Sequence, residues 1–363
     1  MKNLASIGII VTGFVLASCG GSGYKVPSNI VLPGSEQGYI QTPTYVQGTD
    51  EYDAFYAINT FRKSVGLGYW EQNVLLDETA AAHMAYSVAN TANDSNPFQN
   101  DIEVQSVNGV QTVGWSGATP SERAIAKGYY YLRNTISATN VPTAAVGELY
   151  SMGRGADVVN DMVNTIYHRS ALMSQATVQV GMARDATAGP ATAATHWWIN
   201  HGQLTGSQSV SSNYTGMYPT DQQTNVPLSM TPESPSVYSN VPNFNFATQT
   251  SSPVSITTAA IVNLNVTSFT VTPTGSSTPL TGTIWTMKND PNLNVNNYSQ
   301  ATLNLTTPPT PVPTIPANEV FWVGSAPFLP NTTYTVQFTG TTYLIPYAIT
   351  NPITLSWNFT TGS

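Results

Sequence analysis

The chain of 363 residues contains a single cysteine, Cys19. An internal disulfide is therefore excluded, and the fold must rest on apolar burial and hydrogen bonds. Charge is also scarce. Asp, Glu, Lys and Arg make up 8% of the residues, against about 25% in ordinary soluble domains. The formal net charge is −8, which argues against nucleic-acid binding through phosphate neutralisation. Beyond residue 204 the only basic side chain is Lys288, so surface ion pairs cannot organise that half. After the first residues no apolar run approaches the 18 or so needed to span a bilayer. No glycine-rich phosphate loop, HExxH helix or nucleophile elbow occurs, and no Ser-x-x-Lys setting nominates a nucleophile.

What is present begins at the amino end. Lys2 precedes a short, mostly apolar run over residues 4–16, followed by Leu16-Ala17-Ser18-Cys19. A run this short reads as an export signal. Small residues before a cysteine resemble the lipobox of bacterial lipoproteins. The resemblance implies cleavage before Cys19 and acylation of that residue, giving a membrane partner through a lipid anchor; two or more acyl chains hold stably where one does not. Gly20 after Cys19 resembles outer-membrane lipoproteins, which places the expected location at the bacterial cell envelope or cell surface.

Residues 20–49 are rich in Gly, Pro and Ser and read as a tether. Residues 50–203 hold all four histidines and carry helical signals. Phe55, Ile58, Phe61 and Val65 recur at helical spacing, as do Leu76, Ala80, His83 and Ser87. Thr119-Pro120-Ser121-Glu122 reads as an N-cap, a first-turn proline and a capping-box glutamate. Val159, Met162, Val163 and Ile166 form a further stripe. Val178, Val180 and Met182 then alternate as a strand, followed by a strand over residues 196–201. On that strand His196 and His201 fall on opposite faces, and both read as structural; Trp197 and Trp198 read as core and rim aromatics. Helices followed by strands predict an α+β domain. Residues 204–225 read as a linker. Residues 226–363 alternate short Thr- and Val-rich runs with Pro, Gly and Asn turns, which predicts an antiparallel β-sandwich, with the proline-rich residues 308–316 as a loop.

Four segments in order carry a resemblance. They are Ala57-Ile58-Asn59-Thr60-Phe61-Arg62 with Gly66-Leu67; the helix through Ala82-His83-Met84-Ala85; Gly147-Glu148; and His168-Arg169-Ser170-Ala171-Leu172-Met173 with Val180-Gly181-Met182. Together they are similar to the bacterial branch of the CAP superfamily (cysteine-rich secretory, antigen-five and pathogenesis-related proteins). The resemblance implies an α-β-α sandwich with a cleft formed here by His83, Glu148 and His168, with Glu122 or Asp161 as the fourth member. The segment over residues 328–336 and the ending Trp357-Asn358-Phe359 resemble bacterial Ig-like surface domains.

Two imidazoles and a carboxylate could hold a divalent metal such as zinc, or act as general acid and base. Each also has a structural reading: a buried histidine for His83, a turn cap for Glu148, a helix-end cation for His168. The leading expectation is a surface-displayed, non-enzymatic module that binds a small apolar or lipid-like ligand or a protein partner. A metal-assisted hydrolase acting on peptide or envelope material, and an adhesin acting through the Ig-like part, are the alternatives. No firm catalytic residue and no certain cofactor can be named.

Overall fold

The computed structural model describes residues 40–90, 103–107, 110–134, 140–185, 195–204, 210–292 and 315–363. Cys19, the residues read as an export signal and most of those read as a tether lie outside the described residues, as does most of the proline-rich loop. The described residues fall within one compact unit, 31–363. The chain is mixed α+β.

In order, the first half forms α1 (Asp50–Ser64), β1 (Glu71–Gln72), α2 (Val74–Ala89), β2 (Ser106–Val107), β3 (Val110–Gln111), α3 (Pro120–Ala126), β4 (Tyr131–Asn134), β5 (Asn140–Thr143), β6 (Ala145–Met152), α4 (Gly155–Val163), α5 (Tyr167–Leu172), β7 (Gln179–Arg184) and β8 (His196–Gln203). A four-stranded sheet runs β1-β7-β8-β6. Its pairs are antiparallel except β1 with β7.

Strand alternation divides the two faces of this sheet. Leu149, Val180, Met182, Trp197 and Ile199 pack with Phe55, Ile58, Val158, Val159 and Met162 of α1 and α4. Tyr150, Ala183 and Trp198 face Ala80 and Met84 of α2. The sheet thus lies between two helical layers. Both tryptophans are fully buried, so Trp198 is a core residue and not a rim aromatic. Gly181 makes the α2 layer close: a Cβ there would meet the Asp77 amide nitrogen at 2.2 Å and the Leu76 carbonyl carbon at 2.3 Å.

The helix starts follow local chemistry. Thr49, Asn73 and Thr119 accept a hydrogen bond from a first-turn amide of α1, α2 and α3, satisfying donors that have no partner within the helix. Part of the stretch read as a tether packs on the body. Ile40 and Tyr45 pack on the core, the Thr44 amide donates to Gln72 at 2.6 Å, and the Tyr45 hydroxyl donates to Asp77. Apolar and aromatic side chains in a low-charge stretch fix these residues to the body.

The second half contains β9 (Thr215–Tyr218), β10 (Gln223–Val226), α6 (Phe246–Gln249), β11 (Val254–Thr258), β12 (Val262–Pro273), β13 (Gly282–Thr286), β14 (Glu319–Gly324), β15 (Thr333–Leu344) and β16 (Ile349–Thr361). Two four-stranded sheets, β10-β16-β15-β12 and β13-β14-β11-β9, bury a shared core. Val254, Ile256, Val320 and Trp322 of one meet Phe269, Val271, Val336, Phe338, Trp357 and Phe359 of the other. The alternation read from sequence therefore corresponds to a sandwich, with two differences. Strand β9 lies inside the stretch read as a linker and β10 straddles its end, and the two join opposite sheets. Strand β10 runs parallel to β16, so the sandwich is not wholly antiparallel: the chain changes sheets between β9 and β10 and re-enters alongside the last strand.

The halves meet through α5. The Arg169 guanidinium donates to the Val163, Pro253 and Ser255 oxygens at 2.5, 2.8 and 3.1 Å. It lies over the Tyr218 ring at 4.5 Å. Ile166 and Tyr167 enter an apolar cluster with Met230, Val237, Phe321 and Val323.

Candidate functional site

His83 projects from α2 toward the sheet, and Glu148 projects toward α2 from β6. His83 Nδ1 lies 2.7 Å from Glu148 Oε1, and both side chains are fully buried. Arg123 of α3 donates from Nη2 to the same oxygen at 2.6 Å. Its Nε stands 3.9 Å from Glu103 Oε1. Glu103 in turn accepts from the Ser116 amide at 2.7 Å, tying Ser116 to the network. These are charge-assisted contacts in a site without water exposure.

The electrostatics follow from the partners. Burial alone would raise the Glu148 carboxyl, but Arg123 and then His83 overcome it and hold the group below its ordinary value. Glu103 moves the other way: burial raises it, against its Ser116 bonds and the more distant Arg123. His83 Nδ1 is engaged with the Glu148 carboxylate, which leaves Nε2 as the second nitrogen of the ring. That Nε2 is buried and has no hydrogen-bond partner among the described residues. The imidazole stacks on Trp198 with centroids 4.1 Å apart, and Tyr86 stands at 6.1 Å.

His168 does not join this pair through its own contacts. Its Nδ1 lies 3.2 Å from Glu233 Oε2, and its side chain is 19% exposed. Glu233 also accepts from the amides of Ile166, Tyr167 and His168 at 2.9–3.3 Å, so a carboxylate more than sixty residues downstream caps the start of α5. The candidate fourth members are also engaged elsewhere. Glu122 accepts from the Ala118 amide at 2.8 Å while its own amide donates to Thr119, which is a capping role. Asp161 is exposed on α4. Among the described residues no three His, Cys, Asp or Glu side chains are grouped to hold a metal ion. The residues present therefore do not fit the zinc site, because among the described residues no third ligand stands with either histidine–glutamate pair. The open cleft of His83, Glu148 and His168 is corrected to one buried pair and one separate ion pair.

The other two histidines are placed as the alternation of β8 requires. His196 Nδ1 lies 2.6 Å from the Tyr150 hydroxyl. His201, on the opposite face, stacks on Trp70 at 5.2 Å; burial and then the nearby Arg62 push it down to about 4. Sequence reasoning missed Glu103, Arg123 and Glu233. Arg123 was within reach, since it follows the capping box on a short amphipathic turn; the partners of the two glutamates are set by tertiary packing alone.

No protein-family model matches the chain, and no curated protein matches it. Among solved structures the chain is similar to an outer surface protein of Borrelia burgdorferi, with a TM-score of 0.31 and 17% identity, over 44% of this chain and 97% of that one. No helix among the described residues is long and apolar enough to cross a membrane.

Proposed function

We propose that the protein is a lipid-anchored module displayed at the bacterial cell envelope, working by binding and not by catalysis. The anchor is Cys19, and the binding element is the interior around His83 in a CAP-like three-layer half, carried on an Ig-like sandwich. The observation that carries the anchor is the position of the only cysteine, immediately after Leu16-Ala17-Ser18 at the end of a short apolar run. What supports binding over catalysis is the buried network. His83 and Glu148 are fully enclosed, and Glu148 is ion-paired with Arg123. His83 Nε2 and Trp198 Nε1 are buried polar atoms without a hydrogen-bond partner among the described residues, beside the Tyr86 ring, and are left to a small ligand. A sheet between two helical layers is also what the family resemblance implies.

Labelled palmitate fed to expressing cells tests the anchor. Incorporation into the full chain and none into Cys19→Ser is expected, together with cleavage of the folded part by protease added to intact cells. Label retained by Cys19→Ser would overturn it. For the binding element, organic extraction of the purified chain should release a small apolar compound that His83→Phe no longer carries. Equal recovery from both would remove the ligand from this site.

A further inference from the structure

One end of the sandwich presents an apolar tip. The turn between β15 and β16 and the turn leading into β12 bring together Ile261, Ile345, Tyr347 and Ile349, which are 46%, 51%, 71% and 47% exposed. The Ile345 amide donates to the Ile261 carbonyl at 3.1 Å, so the two turns are in direct contact. Leu344 pairs with both Val262 and Ile349, so β12, β15 and β16 run side by side to the base of the tip.

The charge pattern points the same way. Residues 320–363 contain no charged side chain. The only basic residue after position 204, Lys288, lies 3.5 Å from Asn265 Oδ1. Asn265 is four positions from Ile261 along the strand, about 13 Å. Three isoleucines and a tyrosine with one lysine set back by that distance match an acyl boundary with phosphate headgroups above it. The chain outside the described residues supplies the location. The twenty residues between Cys19 and Ile40 span at most about 75 Å fully extended, and they end on the acylated residue.

We propose that the tip formed by Ile261, Ile345, Tyr347 and Ile349 docks into the headgroup region of the bilayer that holds the Cys19 lipid. It is a second, reversible membrane contact that orients the body on the surface. The inference rests on the lipid anchor proposed above. One acyl-type anchor plus an apolar surface contact is a combination that holds more firmly than either alone.

The test uses the full acylated chain with Tyr347→Cys. Acylation consumes Cys19, so the new cysteine is the only free thiol, and a polarity-sensitive dye can be placed on it. The protein is mixed with vesicles of phosphatidylcholine containing a minor fraction of phosphatidylglycerol. Flotation with the vesicles reads the anchor; a blue shift of the dye, with quenching by spin-labelled lipid, reads the tip. Thr278→Cys, exposed beyond the opposite end of β12, is expected to show neither. Protein that floats while the dye at 347 remains water-like overturns the tip and leaves the anchor standing. A shift that appears without vesicles and grows with protein concentration assigns the tip to a second copy and also overturns the proposal. Protein that does not float overturns the anchor and the tip docking together.

Discussion

Glu148→Gln separates a closed structural network from an open reactive site. The carboxylate faces Arg123 at 2.6 Å and His83 at 2.7 Å with no exposure of any of the three side chains. At an effective dielectric of about 20, unit charges about 4 Å apart interact by about 4 kcal/mol. Removing one partner of a buried pair costs roughly 3–5 kcal/mol, because the other charge stays buried. Glu103, 3.9 Å from Arg123, offsets part of that loss. We expect Glu148→Gln to lower the stability of the full chain by about 3 kcal/mol, read as a lower urea midpoint with an unchanged slope. The acid limb provides a second readout. Glu148 is held below its ordinary value, so it contributes stability above the unfolded value of about 4.3 that is lost as pH falls through the folded value. The Gln variant should lack that part of the acid loss. A double change, Glu148→Leu with Arg123→Met, should cost less than the sum of the single changes. A loss under about 1 kcal/mol for Glu148→Gln, typical of solvent-exposed pairs, would refute the closed network.

Three further outcomes follow from the buried groups. His201, pushed down to about 4, stays neutral in the folded chain while the unfolded chain gains a proton below about 6.5. Stability should therefore fall by about 3 kcal/mol as pH drops from 6.5 to 4, and His201→Phe should flatten that limb in acid unfolding curves. Glu319 is raised to about 8 by burial, against opposing contributions from Ser170 and Arg169. Its effect has the opposite sign: stability is fully present below the unfolded value of about 4.3 and declines as pH rises to 8, at up to about 1.4 kcal/mol for each tenfold difference in proton affinity. Glu319→Gln should remove the decline in thermal melts taken across that range. Gly181→Ala would drive a methyl group into the α2 backbone at 2.2 Å. Overpacking of this kind costs about 3 kcal/mol or more, measurable by denaturant titration, and a neutral result would mean that α2 moves away without penalty.

Local pattern carried much of the fold. The spacings of Phe55, Ile58 and Phe61, and of Leu76, Ala80 and His83, mark faces that are buried in α1 and α2. The Thr119 cap forms as predicted, while Glu122 reaches back one residue past it, to the Ala118 amide. The alternation of residues 196–201 places His196 and His201 on opposite faces of β8, as period-two geometry demands. What the sequence could not show is which charges meet. His168 resembles a cleft residue by its neighbours in the chain, yet its partner Glu233 comes from the other half. Arg123 reaches Glu148 across twenty-five positions. Such pairings depend on how layers stack, and with so few charges in the chain no local pattern announces them. Strands β9 and β10 were equally hidden: four residues each, lacking strong alternation, they are strands because of the sheets they join.

The mass of the amino-terminal peptide of protein recovered from membranes tests the lipid anchor most directly. Loss of residues 1–18 and a Cys19 heavier by its attached acyl chains is the predicted result. A chain that keeps Met1, or one that begins at an unmodified Cys19 with a free thiol, would contradict it.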